Sequence, residues 1–167
     1  MKMLETSRLY LRNLTPPDVD DIYDYRNNEK CNKYQRWDDF SKEDIKTFIE
    51  KFQNDEFLSK KEEQHFAVCL KTDEVLVGEL AYFYSEGDCI TLGISISYKY
   101  HKNGFASELM TEVIRQIQVK YPAMDIVGLI EKENEKSIRL FEKLGFEQEC
   151  YAEAVASYVY VIYGSKK

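Results

Sequence analysis

The chain has 167 residues, 44% hydrophobic and 32% charged, with 30 Asp and Glu against 23 Lys and Arg for a formal net charge of −7. That length and apolar content predict one domain around a single sizeable core. The negative charge argues against a nucleic-acid partner, which would need clustered Lys and Arg, and favours a cationic amine instead. The N-terminus carries no long apolar stretch and nothing approaches the roughly 18 apolar residues of a membrane span, so a soluble, cytoplasmic protein without a membrane partner is expected. Cys31, Cys69, Cys89 and Cys150 are widely spaced and only two histidines accompany them, which predicts reduced thiols and no metal site.

In chain order, Leu9 and Leu11 alternate with Tyr10 and Arg12 as a first strand. Thr15-Pro16-Pro17-Asp18 then opens a helix, with Thr15 at the N-cap, Pro16 at N1, and Val19, Ile22 and Tyr23 as the buried stripe. Residues 27–40 show no period and are expected to form a loop carrying Tyr34, Arg36 and Trp37. Tyr34 and Trp37 either pack beneath that loop or line a substrate pocket. Ser41 with Asp44 three residues on resembles a capping box, and Ile45, Phe48, Ile49 and Phe52 mark the helix that follows. Phe66, Val68 and Leu70 predict a strand, Thr72-Asp73 a turn, and residues 74–84 an antiparallel partner.

Past the turn Glu86-Gly87-Asp88 comes the cleanest strand, over residues 90–98. Ile90, Leu92, Ile94, Ile96 and Tyr98 alternate with Thr91, Gly93, Ser95 and Ser97. The polar positions are small, which leaves room for a slender ligand along that face. A loop containing Asn103 and Gly104 leads into a helix marked by Ala106, Leu109, Met110, Val113, Ile114 and Ile117. The first N–H groups of such a helix have no intrahelical acceptor, and a glycine lets a phosphate approach them. The loop has neither the lysine ending of a P-loop nor the three glycines of a dinucleotide fingerprint, so a nucleoside triphosphate fits less well. The helix should stop at Tyr121-Pro122. Residues 126–130 predict a short strand, a second helix spans from Asn134 to Gly145, and two strands close the chain as a hairpin around Ala154. The aromatic stretch 158–163 is expected at a sheet edge, where it would suit a homodimer contact.

The loop His101-Lys102-Asn103-Gly104-Phe105-Ala106 resembles the pyrophosphate loop of the GNAT superfamily of acyl-CoA-dependent N-acyltransferases. That loop reads Gln or Arg, two residues, Gly, one residue, then Gly or Ala; His101 departs at the first position. About thirty residues on, the chain matches a second family motif at Asn134, Ser137 and Glu142-Lys143-Leu144-Gly145-Phe146. The resemblance runs from the first strand to the end of the chain and is nearest to the RimJ/RimL-like and spermidine acetyltransferase-like branch.

It implies an α/β (α+β) fold with a mixed, mostly antiparallel sheet of six to seven strands, about four helices, and a splay between the fourth and fifth strands. It implies acetyl-CoA as cosubstrate, no metal, and direct acetyl transfer to a primary amine, either a polyamine-like molecule or a protein N-terminus. The residues it assigns to the coenzyme are Ile94, Ile96, His101, Lys102, Asn103, Gly104, Phe105, Ala106, Ser107, Asn134, Ser137 and Phe141, with a backbone N–H near Ile96 polarising the thioester carbonyl. Phe141 stands where many members place a tyrosine that protonates the departing thiolate, and a phenyl ring has no proton to give. Tyr98 is the candidate replacement acid, and Glu79, Asp88 and Glu131 are the candidate bases. The missing tyrosine also keeps open an alternative, a catalytically silent acetyl-CoA-binding module used for sensing or assembly.

Overall fold

A computed structural model describes residues 2–35, 37–38 and 40–165; Arg36, expected in the irregular loop, lies outside the described residues. Eight strands, β1 (Leu4–Glu5), β2 (Leu9–Arg12), β3 (Glu63–Leu70), β4 (Leu76–Tyr84), β5 (Cys89–Ile96), β6 (Asp125–Ile130), β7 (Glu147–Ala152) and β8 (Ser157–Ile162), form one sheet in the order β1-β2-β3-β4-β5-β6-β8-β7. Every pairing is antiparallel except that of β5 with β6. The sheet has one strand more than expected because the two-residue β1 folds back on β2.

The helices are α1 (Val19–Arg26), α2 (Glu29–Asn32), α3 (Lys42–Phe52), α4 (Phe105–Lys120) and α5 (Glu135–Lys143). The extra one is α2, a single turn inside the segment expected to be irregular, where the Asn28 side chain accepts the Lys30 N–H. Thr15 and Pro16 open a 3₁₀ turn over Pro16–Asp18 that leads into α1; Asp18 accepts the Thr15 N–H and a two-pronged contact from Arg12. The buried stripe of α1 is Val19, Ile22, Tyr25 and Arg26, while Tyr23 is exposed. A 3.6-residue period counted from Ile22 reaches 25 and 26, one turn on.

The two faces of the sheet bury different elements. On one, Leu9, Leu11, Phe66, Val68, Leu80, Ile90 and Leu92 pack against α4, which contributes Phe105, Leu109, Met110, Val113, Ile114 and Ile117. Fully burying one such side chain stabilises by about 1.5–3 kcal/mol, so α4 is held by its apolar stripe. On the other face, Tyr10, Ala67, Cys69 and Leu76 meet Val19, Ile22 and Tyr25 of α1 and Ile45, Ile49 and Phe52 of α3.

Two expectations are corrected here. The aromatic strand β8 is interior, paired on one side with β6 and on the other with β7, so the edge is the almost wholly exposed β7. Phe141 is 4% exposed and belongs to the core: its ring packs 4.7 Å from that of Phe146 and covers Gly128, where an added Cβ would sit 2.2 Å from the phenyl Cε2. Its place on the α5 face that meets β6 turns it inward, away from the coenzyme position the motif suggested.

Candidate functional site: a gap in the sheet between two cavities

The parallel pairing of β5 with β6 covers only Cys89↔Asp125, Ile90↔Ile126 and Thr91↔Val127, after which the strands diverge. The phase of β5 decides what faces the opening. Ser97 N–H donates to the Val77 carbonyl at 2.7 Å, and the register with β4 carries that bonding phase to Ser95, Gly93 and Thr91. Backbone groups alternate sides along a strand, so those of Ile94 and Ile96 point into the gap. One is taken: the Ile96 carbonyl accepts from His101 Nε2 at 2.7 Å and from Cys31 Sγ at 3.6 Å. Burial pushes the Cys31 thiol pKa up, so the sulfur stays a protonated donor. The N–H groups of Ile94 and Ile96 and the Ile94 carbonyl remain directed at the gap.

Strand β5 ends at Ile96 rather than Tyr98, in a 3₁₀ turn over Tyr98–Tyr100. The loop beyond adopts left-handed backbone at Lys102 (φ 66°) and at Gly104 (φ 75°), the N-cap of α4. Glu108 N–H bonds to the Gly104 carbonyl as the first helical bond, leaving the N–H groups of Phe105, Ala106 and Ser107 without intrahelical acceptors. A clamp from the far N-terminus fixes this arrangement. Arg8 donates Nη2 to the Asn103 carbonyl at 2.9 Å and Nε to Glu108 at 2.8 Å, and lies over the buried Phe105 ring at 4.5 Å. Burial pushes the Glu108 carboxyl up, but bonds from the Thr6 hydroxyl, the Arg8 amide and the Arg8 guanidinium outweigh it and hold the pKa below the ordinary carboxylate range.

A cleft of about 810 Å³ joins this loop to the gap. Its walls include Ile94, Ile96, His101, Lys102 and Ala106 on one side and Asn134, Ser137 and Leu140 on the other, with Lys30, Lys33, Lys136 and Arg139 supplying positive charge. Asn134 caps α5, its side chain accepting from Ser137 N–H at 3.3 Å. Of the residues the motifs assigned to a ligand, Phe105 and Phe141 are buried apolar supports, and Asn103 is spent on its own loop, donating to the Tyr100 and His101 carbonyls.

A second cavity, of about 770 Å³, opens on the α1/α3 face. Trp37, Phe48, Phe52 and Phe83 give it aromatic walls, Asp38, Asp44, Glu63, His65 and Lys51 bring polar groups, and Ala81 with Thr91, Leu92 and Gly93 forms its floor. Trp37 and Tyr34 of the irregular segment both line it. The two cavities meet along β5, one ending at Gly93 and the other starting at Ile94, and share Tyr34 and Gln35. Tyr34 spans the divide, its hydroxyl donating to the Glu133 carbonyl at 3.1 Å.

The candidate acid–base residues scatter. Glu79 is 3% exposed and fully engaged: Arg26 donates to both of its oxygens, at 2.6 and 3.2 Å, and the Tyr25 hydroxyl donates to one of them. Arg26 is in turn held between the Trp37 and Phe48 rings at 5.0 and 4.3 Å. Asp88 is exposed in the turn at the opposite end of β5 from the loop, and Glu131 follows β6; neither lines either cavity. Tyr98 lines the first cleft, donating to Asp24 at 3.2 Å, and that bond, with partial desolvation, raises its pKa. The pair the sequence reading passed over is Glu63 and His65, 2.9 Å apart on β3. The available signal was their spacing of two, which puts both side chains on one face of a strand.

The sequence profile of the acetyltransferase (GNAT) domain matches residues 8–147. A Bacillus subtilis (strain 168) protein named as the uncharacterized N-acetyltransferase YnaD is 24% identical over 147 residues, covering 87% of this chain and 83% of its own. A GNAT-family acetyltransferase from Bacillus anthracis superposes with a TM-score of 0.82 at 23% identity over 98% of both chains. A variant of spermidine N-acetyltransferase SpeG from Vibrio cholerae gives 0.68 at 21% identity, covering 94% of this chain and 93% of its own. At these identities the structural likeness speaks for the fold.

Proposed function

The chain belongs to the acetyltransferase (GNAT) domain family, and from that premise we propose that it is an acetyl-CoA-dependent N-acetyltransferase whose acceptor is a primary amine. The observation that carries this reading is the gap itself: backbone groups of β5 aimed into an opening that joins a basic cleft to an aromatic, carboxylate-bearing cavity. The chain's own groups fit the coenzyme. Left-handed Gly104 leaves the α4 N-terminus open to a diphosphate, and Lys102 adds charge beside it. The Ile94 C=O and the Ile96 N–H offer strand-like pairing to the amide groups of a pantetheine arm. Acetyl-CoA supplies the acetyl thioester.

Each remaining role falls to a residue. The Ile94 N–H stands where the two cavities meet, two residues nearer the acceptor side than Ile96, and polarises the thioester carbonyl as a single-donor oxyanion site. Tyr98, kept protonated by its bond to Asp24, delivers a proton to the sulfur in place of the tyrosine that Phe141 lacks. The Arg26–Glu79 pair holds the wall of the acceptor cavity, and Glu79, with both oxygens occupied, serves as structure rather than as base. An ammonium suits the acceptor cavity, since aromatic faces attract cations and Asp38, Asp44 and Glu63 neutralise charge. Polyamine-like amines and protein N-termini both present that group.

Incubation with acetyl-CoA and a panel of amines, with release of free thiol followed by colorimetry, tests the reading. Turnover with at least one primary amine is expected. Thermal stabilisation by acetyl-CoA with no thiol released above the background of hydrolysis for any amine would identify a silent coenzyme-binding module instead.

A further inference from the structure

We propose, resting on the transferase reading above, that His65 is the catalytic base for the acceptor amine and that Glu63 is the positioning residue that orients it. The juxtaposition comes from the sheet register. His65 of β3 lies directly opposite Ala81 of β4, and Ala81 directly opposite Gly93 of β5. Directly opposed residues share a face, so the imidazole, a methyl group and a hydrogen form one row across three strands. With strands about 4.8 Å apart, His65 and Gly93 are separated by roughly 10 Å. Between them on that face there is no side chain larger than alanine. The row ends where the acceptor cavity gives way to the coenzyme cleft.

The surroundings of the ring suit proton transfer. Its Nε2 faces Glu63 Oε1 at 2.9 Å, and a carboxylate there favours the tautomer with hydrogen on Nε2, leaving Nδ1 as the acceptor. Nδ1 is enclosed and meets no hydrogen-bond partner among the described residues. Because Nδ1 is enclosed, a substrate ammonium or a water reaches it only when one of the surrounding phenyl rings moves aside, and the unmet lone pair, which costs free energy in the resting protein, favours that opening. Phe48, Phe52 and Phe83 surround the ring, with centroids at 4.8, 4.4 and 5.9 Å, and its backbone N–H is tied to Asp55 at 3.1 Å. The other charged groups around it are Lys51, 4.0 Å from Glu63, together with Asp44 and Arg26 in the cavity wall and Lys61 on Asp55.

The step balances as follows. His65 Nδ1 takes one proton from the ammonium, becoming imidazolium against Glu63, and later returns it to solvent. The freed nitrogen lone pair forms the N–C bond as the C–S bond breaks, the electron pair leaves with sulfur, and the nitrogen's second proton ends on the thiol through Tyr98.

The test is a pH–rate profile of the full-length protein with a primary amine that it acetylates. His65→Gln is expected to lower kcat by about 10²–10⁴-fold, with the Kd for acetyl-CoA unchanged and the acidic limb of kcat/KM abolished. Glu63→Gln, partly exposed and so tolerable to the fold, is expected to lower kcat by at least tenfold and to displace that limb, with Glu63→Asp recovering part of the rate. NMR gives an independent readout, because the chain has only two histidines: amine addition should shift the His65 ring resonances and leave His101 in place. Variants that keep wild-type rates and an unmoved profile would overturn the dyad while leaving the transferase reading intact. Wild-type protein that binds acetyl-CoA and acetylates no amine would overturn both.

Discussion

The two cavities on either side of β5 are built in opposite ways. The proposed coenzyme cleft is lined by three short runs of sequence, residues 29–35, 94–106 and 133–140, and along the middle run, at the end of β5 and the start of α4, main-chain groups face it. The proposed acceptor cavity is assembled from residues of α1, the segment after α2, α3, β3, β4, β5 and, with Leu129, β6, so that its wall draws on seven separate parts of the chain. A surface made of backbone tolerates changes of side chain, whereas one made of converging side chains depends on each of them. On the proposed reading, coenzyme binding can therefore persist while acceptor choice changes.

The strongest way to break this contrast is to remove the anchor of the side-chain wall. Arg26→Met leaves a buried Glu79 carboxylate without its charge partner, and a loss of about 3–5 kcal/mol in unfolding free energy is expected by urea titration. Arg26→Met combined with Glu79→Leu should recover much of that loss; a single variant as stable as the parent would show that the wall is held otherwise. Next in size is Gly104→Ala, which places a Cβ on a residue at φ 75° in the backbone-built half. The strain of about 1–2 kcal/mol is relieved where the loop of the free variant leaves that conformation, so restoring it on binding is expected to weaken acetyl-CoA affinity by about 5- to 30-fold in calorimetry while the amine KM stays within twofold. Trp37→Ala should do the reverse. Loss of an aromatic wall and of its contact with Arg26, worth about 1 kcal/mol, is expected to raise the amine KM severalfold at constant acetyl-CoA affinity.

The smallest effect concerns pH. The folded-state pKa of Glu108 is depressed, so its bonds to Thr6 and Arg8 add stability at pH values above its unfolded pKa and lose it as pH falls through the folded value. Glu108→Gln should therefore lower the thermal midpoint at neutral pH, and the gap between variant and parent should narrow on acidification below pH ~4. A constant gap across that range would mean that the clamp on the loop is not ionic.

Most of the strands and helices could be read from periodicity, because alternation and 3.6-residue repeats are local records of which face is buried. The loop at Gly104 could be read for a similar reason, since a left-handed N-cap asks for glycine at one position. What failed were readings that depended on neighbours remote in sequence. Phe141 carries the motif position of a proton donor, yet Gly128 of β6 offers its ring a flat site and draws it into the core. The final aromatic strand looks like an edge until β7 is seen to lie outside it. Glu79 reads as an available base, but Arg26, 53 residues earlier, has already claimed it.

By itself the sequence determined the order of the elements, the anion-ready turn ahead of α4 and the small polar face of β5, because each is set by residues within a few positions of one another. The splay of β5 from β6, the meeting of two cavities at Gly93 and Ile94, and the row from His65 through Ala81 to Gly93 were decided only by the tertiary structure. Register between strands is a sum over the whole sheet, and no local stretch of chain records it.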